Sequence, residues 1–111
     1  LLKMGRHFRF SGGVKLVVGR NEEENQKIQT FARGEDILLK VSSFPGPFSL
    51  LRGKPGDGDI EKAAAVTVHY SKAKDLGDIE VIYRSADEDH PRSLLVSPIS
   101  RGEIEKWMIN E

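Results

Sequence analysis

The stretch richest in groups that could do chemistry is His69-Tyr70-Ser71-Lys72-Ala73-Lys74, which gathers an imidazole, a phenol, a hydroxyl and two ammonium groups. Two lysines beside an aromatic ring suit an anionic ligand with stackable bases, since ammonium groups hold phosphates and a ring accepts a base. The same lysines would also suit a helix C-terminus, where cations offset the dipole. A second candidate is Gly19-Arg20-Asn21, followed by Glu22, Glu23 and Glu24. Free amides at a helix start can cradle a phosphate, but three carboxylates in that turn would repel one. Asn21 therefore reads as a helix cap, which leaves Arg20 just outside the helix and free to reach a ligand.

Other chemistry finds little support. His7, His69 and His90 are scattered, and none stands at helical spacing from another ligand, so no metal is expected. The absence of cysteine excludes a thiolate nucleophile, disulfides and cysteine-ligated metal, and fits a reducing, cytoplasmic setting. Ser11-Gly12-Gly13 opens like a pyrophosphate-binding loop, but Val14-Lys15-Leu16 continues it as a strand. No Walker sequence, dinucleotide fingerprint or nucleophile elbow occurs. Asp87-Glu88-Asp89 lacks ligand spacing and reads as a solvated loop tip. The expectation is a chain that is not an enzyme and has neither cofactor nor metal.

The elements that must position these groups follow from the apolar pattern. With 111 residues the chain fits one domain, 1–111, and its start at Leu1-Leu2 with an internal Met4 suggests a domain excised from a longer protein. No apolar run approaches the roughly 18 residues of a membrane span, and residues 1–6 do not resemble a signal peptide. No membrane partner is expected. Phe8-Arg9-Phe10 and Lys15–Val18 flank Gly12-Gly13 as a hairpin. Asn21 and Glu24 form a capping box for a helix over 22–33. Strands are expected over 36–41 and 48–51, separated by a tight loop at Phe44-Pro45-Gly46-Pro47. A helix capped by Asp59 runs to about Lys74, with Ala63-Ala64-Ala65 favouring helix and close packing. Residues 79–83 alternate as a strand, a polar loop spans 85–93, and 94–96 form a last strand. A last helix starts at Ser100 or Arg101 and contains Ile104, Trp107 and Met108. The class is α+β, a mixed and mostly antiparallel sheet with two to three packed helices in the order ββα-ββα-ββα.

Net charge is zero, with 17 basic and 17 acidic residues, but the distribution is uneven. Lys3, Arg6, Arg9, Lys15 and Arg20 stand in residues 1–20 with no acid, whereas acids dominate after residue 85. This asymmetry fits either contact with a nucleic acid or scatter over a solvated surface.

Three motifs in series resemble the RNA-binding domain of the NFACT family, found in ribosome quality-control factors and attached to other translation and tRNA-modification proteins. They are Gly19-Arg20-Asn21 with Asn25; Asp36-Ile37-Leu38-Leu39 leading to Pro45-Gly46 and Phe48–Leu51; and Ala63-Ala64-Ala65 leading to Tyr70-Ser71-Lys72-Ala73-Lys74. A strand-rich tail, Ile79–Tyr83 and Leu94–Val96, completes the match over roughly residues 8–97. The family usually carries a histidine and a lysine before the Pro-Gly turn and another histidine after it, where this chain has Lys40, Ser42 and Phe48. Pro45-Gly46-Pro47 is more similar to the variant appended to thiouridylase-like tRNA sulfur-transfer proteins that contain a PP-loop ATPase domain.

The resemblance implies a non-catalytic module that holds structured RNA, above all tRNA, for a catalytic domain of the same parent chain. Its binding face would comprise Arg9, Lys15, Arg20, Asn25, Lys40, Arg52, Tyr70, Ser71, Lys72 and Lys74. An intramolecular scaffold without RNA contact, anchored by Phe44, Phe48 and Trp107, is the alternative.

Overall fold

Six strands form one sheet in the computed structural model, which describes residues 3–109. They are β1 (Arg6–Arg9), β2 (Lys15–Val18), β3 (Ile37–Val41), β4 (Ser49–Arg52), β5 (Ile79–Ser85) and β6 (Arg92–Val96). The order is β1-β2-β4-β3-β5-β6, and every pairing is antiparallel. Helices α1 (Glu22–Phe31), α2 (Asp57–His69) and α3 (Arg101–Glu105) complete the expected α+β class. A single 3-10 turn, Ser11–Gly13, joins β1 to β2. Its Gly12 and Gly13 have φ of 74° and 78°, a region that side chains disfavour. The β3–β4 hairpin folds back so that β4 lies between β2 and β3, which brings the end of β2 beside the start of β4.

Strand alternation divides the core in two. On one face Phe8, Leu16, Leu51, Leu39 and Val81 pack under α2 and Ile104 of α3. Ala63 and Ala64 are fully buried there and let α2 sit close to the sheet. A polar contact is built into this interface. Thr67 gives its hydroxyl proton to the Ala63 carbonyl (2.8 Å), so Ser49 donates to Thr67 Oγ1 (2.7 Å). On the other face Val17, Leu38 and Leu50 carry α1 through Ile28, with Phe31 and Phe48 alongside.

The structure corrects several boundaries. α2 begins at Asp57, and Asp59 is its third residue, accepting the Gly56 N–H (3.0 Å) rather than capping the helix. It ends at His69, so Tyr70–Lys74 lie beyond it. β5 reaches Ser85 and β6 starts at Arg92 because Tyr83 pairs with Arg92 and Ile82 with Ser93. Backbone pairing at a solvated sheet margin leaves no apolar signal in the sequence. α3 stops at Glu105. Trp107 and Met108 instead run along the outer edge of β1, where the Arg9 N–H donates to the Trp107 carbonyl (2.7 Å) and the Ile109 N–H to that of His7 (2.9 Å). Trp107 packs edge-on against Phe10, 5.2 Å between centroids. This closes an edge that would otherwise offer unpaired backbone groups.

Candidate nucleic-acid interface

β2 ends where Gly19 donates its N–H to the Phe48 carbonyl (3.0 Å). Asn21 caps α1 by accepting the Glu24 N–H (2.9 Å), as its position predicts. One turn on, the buried Asn25 points back at the sheet, and its Oδ1 accepts the Phe48 N–H (3.0 Å). A Cβ at position 19 would lie 2.1 Å from that oxygen, so only glycine leaves room for it. The Gly-Arg-Asn…Asn pattern thus locks α1 to β4.

Across from it lies the Pro45-Gly46-Pro47 loop. The Lys72 N–H donates to the Pro45 carbonyl (2.9 Å), and a Cβ on Gly46 would stand 2.7 Å from that of Ser71. Ser71 Oγ donates to the Val68 carbonyl (2.7 Å) and accepts the Ala73 N–H (3.0 Å). A hydroxyl bonding its own backbone in this way turns the chain. It accounts for why α2 stops before the Tyr-Ser-Lys segment rather than after it.

These three segments enclose a cleft of about 320 Å³. Arg20, Asn21 and Asn25 line one wall, the Pro-Gly-Pro loop a second, and Tyr70, Ser71 and Lys72 a third. Arg20 is not free as expected, because its Nε and Nη2 grip the Glu24 carboxylate (3.0 and 2.7 Å). Glu24 also accepts the Arg20 backbone N–H (2.9 Å), one residue before the cap, in place of the capping-box bond to Asn21. The pair leaves the Arg20 guanidinium half exposed, held at the cleft's rim. Lys72 is exposed and makes no ion pair among the described residues. Arg6, which sequence reading missed, stacks its guanidinium 4.5 Å from the Tyr70 ring centroid. Only its place in a basic N-terminal stretch could have singled it out.

The Arg20 side-chain hydrogen bond, helped by N–H groups of Arg20 and Gly5, lowers the Glu24 carboxyl from 4.5 to about 2 against the opposing effect of burial. A carboxyl depressed by folding stabilises above its unfolded value, and that contribution is lost as pH falls through the folded one. Glu24→Gln is therefore expected to be less stable at pH 7 and to show a flatter acid dependence between pH 4.5 and about 2. Urea midpoints across that window check it, and a dependence as steep as the parent's refutes it.

The other expected residues lie elsewhere. Arg9, Lys15 and Arg52 form one row across β1, β2 and β4. That row lies four residues of β2 from Gly19, about 13 Å away. Arg52 is committed to Asp36 (Nε 2.8 Å, Nη2 2.5 Å) and stacks 4.6 Å from the Phe31 centroid. Burial alone would raise the Asp36 carboxyl, but the Arg52 hydrogen bond, the Arg33 N–H and both positive charges outweigh it and hold it below its usual value. This pair ties the end of β4 to the start of β3. Lys40 stands on the α1 side of the sheet, its Nζ 5.6 Å from the Phe48 ring, and Lys74 is exposed beyond the cleft. The ten residues do not make one continuous face. Arg20, Asn25, Tyr70, Ser71 and Lys72 come together in the cleft.

Residues 5–108 match the family described as the NFACT protein RNA binding domain. No curated protein matches in sequence. Among solved structures, the C-terminal part of the fibronectin/fibrinogen-binding protein from Streptococcus suis superposes with a TM-score of 0.85 at 17% identity. The match covers 98% of this chain and 51% of that one, so the chain spans about half of its length. At that identity the likeness concerns the fold.

Proposed function

The chain belongs to the NFACT RNA-binding domain family, and from that premise we propose that the cleft binds the sugar–phosphate backbone of a structured RNA, with tRNA as the ligand. One observation carries the reading: three motifs distant in sequence converge on one cleft whose rim holds Arg20, Lys72 and the Arg6–Tyr70 stack. Base-paired RNA is recognised largely by shape and backbone contacts, which a few positioned cations and amides can supply. The module performs no chemistry itself. It holds the RNA for a catalytic domain of the same parent, in tRNA thiolation or translation quality control in the cytoplasm. Pro45-Gly46-Pro47 supports the thiolation branch through its likeness to the thiouridylase-associated variant. The scaffold alternative loses one of its anchors, since Trp107 is packed on Phe10, while Phe48 packs only in part against the α1 side of the core and Phe44 is exposed.

The double variant Lys72→Ala with Lys74→Ala tests the placement, since both side chains are exposed and removing them disturbs no packing. Each lysine that meets a phosphate contributes about one unit to the salt slope of binding. RNA affinity is expected to fall uniformly across sequences and its salt dependence to flatten. Unchanged affinity, measured by titration with bulk tRNA, excludes this cleft as the site.

A further inference from the structure

The sheet face that carries α1 is only half covered. α1 packs on β4, whereas α2 lies against β3, β4, β5 and β6 from the opposite face. Beyond α1, strand register places Lys40, Ile82 and Ser93 in one row and Glu80 and Leu95 in the next. Leu95 is 71% exposed. On the other side of the Lys40–Ile82 row lies a groove of about 290 Å³, floored by Leu38, Phe48 and Ile82 and bordered by Lys40 and Arg84, with Asp89 and Pro91 closing one side. Arg84 is held in place as its Nη1 donates to the carbonyls of Ser85, Ala86 and Glu88 (3.2, 3.4 and 3.3 Å).

We propose that this groove receives an unpaired nucleobase of the same RNA whose backbone occupies the cleft, an inference that rests on the RNA reading above. Its floor is apolar and includes the half-buried Phe48 ring, on which a base can stack once the Lys40 ammonium that lies over it, 5.6 Å from the centroid, swings out to a phosphate. The two cations at its border can meet the phosphates on either side of that base. The Asp89 carboxylate is an acceptor for an exocyclic amino group such as that of adenine. Continuity is the strongest argument. The Phe48 N–H is bound by Asn25 and its carbonyl by Gly19, both cleft residues, and Pro47 lines the cleft next to it. Cleft and groove thus share one wall, so a strand leaving the cleft over that wall enters the groove. A peptide would gain from the apolar floor as well, but paired cations joined to a phosphate-binding cleft favour a nucleic acid.

The test compares an RNA hairpin with a blunt stem against the same hairpin carrying a four-adenosine 3′ overhang, by fluorescence anisotropy at one salt concentration. The overhang is expected to tighten binding roughly tenfold, the scale of one stacked base. Ile82→Ser and Phe48→Leu are expected to remove that gain, and Ile82→Ser, confined to the groove, to keep blunt-stem affinity within about twofold of the parent. Equal binding of the two hairpins by the parent protein overturns the inference, leaves the RNA reading standing and returns the groove to a protein-docking surface. An overhang preference that survives both substitutions also overturns it, because the base then docks elsewhere. Failure of both hairpins to bind removes the RNA reading itself, and this inference with it.

Discussion

Asn25→Ala is expected to lower the midpoint of thermal unfolding by about 10 °C and to weaken RNA binding with it. The side chain is buried, and its Oδ1 is the acceptor for the Phe48 N–H at the start of β4. Removing it leaves a part-buried backbone donor without its protein partner, which costs about 1–3 kcal/mol. For a domain of this size each kcal/mol moves the midpoint by roughly 4–8 °C. The same substitution frees α1 from the wall between cleft and groove, so the affinity loss accompanies the stability loss. Gln29→Ala, one turn further along an exposed part of α1, is the control and is expected to change stability by less than about 0.5 kcal/mol. A shift for Asn25→Ala no larger than that of the control, followed by circular dichroism, would show that the Asn25 bond does not hold these elements together.

Gly46→Val is expected to separate binding from folding. Its Cβ would sit 2.7 Å from the Ser71 Cβ and 3.2 Å from the Ser71 Cα, which is backbone and cannot rotate away. The Pro-Gly-Pro loop must therefore lift off the Tyr70–Lys72 turn, breaking the bond from the Lys72 N–H to the Pro45 carbonyl. Overpacking of this kind costs about 1–3 kcal/mol. Here most of it falls on an exposed loop rather than on the core beneath α2. A cleft that has lost one wall is expected to lose about 2 kcal/mol of RNA affinity, roughly thirtyfold. RNA titration alongside thermal unfolding checks both halves. Full affinity in a folded Gly46→Val would mean that the loop is not part of the site.

What the sequence reveals depends on how local the responsible interaction is. Asn21 was readable as a cap because the atom it serves is three residues away. Phe8 and Phe10 announce the core by alternating with Arg9, whereas the continuous runs Leu16–Val18, Ile37–Leu39 and Leu50-Leu51 announce strands that are apolar on both faces. β6 was underestimated because an edge strand with one solvated face needs no apolar residue at Arg92 or Ser93. The end of α2 was misplaced because the Ser71 hydroxyl competes with the helix for the Val68 carbonyl, and nothing in residue type shows which wins.

The site was legible as three motifs but not as one place. Gly19 meets Phe48 only because β4 inserts beside β2, a long-range choice. Arg52 looked like a ligand-binding cation because its partner Asp36 lies sixteen residues away in sequence. Arg6 looked like scatter because Tyr70 lies still further off.

The central claim, RNA held through phosphate contacts, is tested most directly by titrating bulk tRNA into this domain at a series of salt concentrations. The account predicts saturable binding whose log affinity falls linearly with log salt, at a slope near −0.7 to −0.9 for each phosphate neutralised. An absence of binding even at low salt, from a domain shown to be folded, would contradict it.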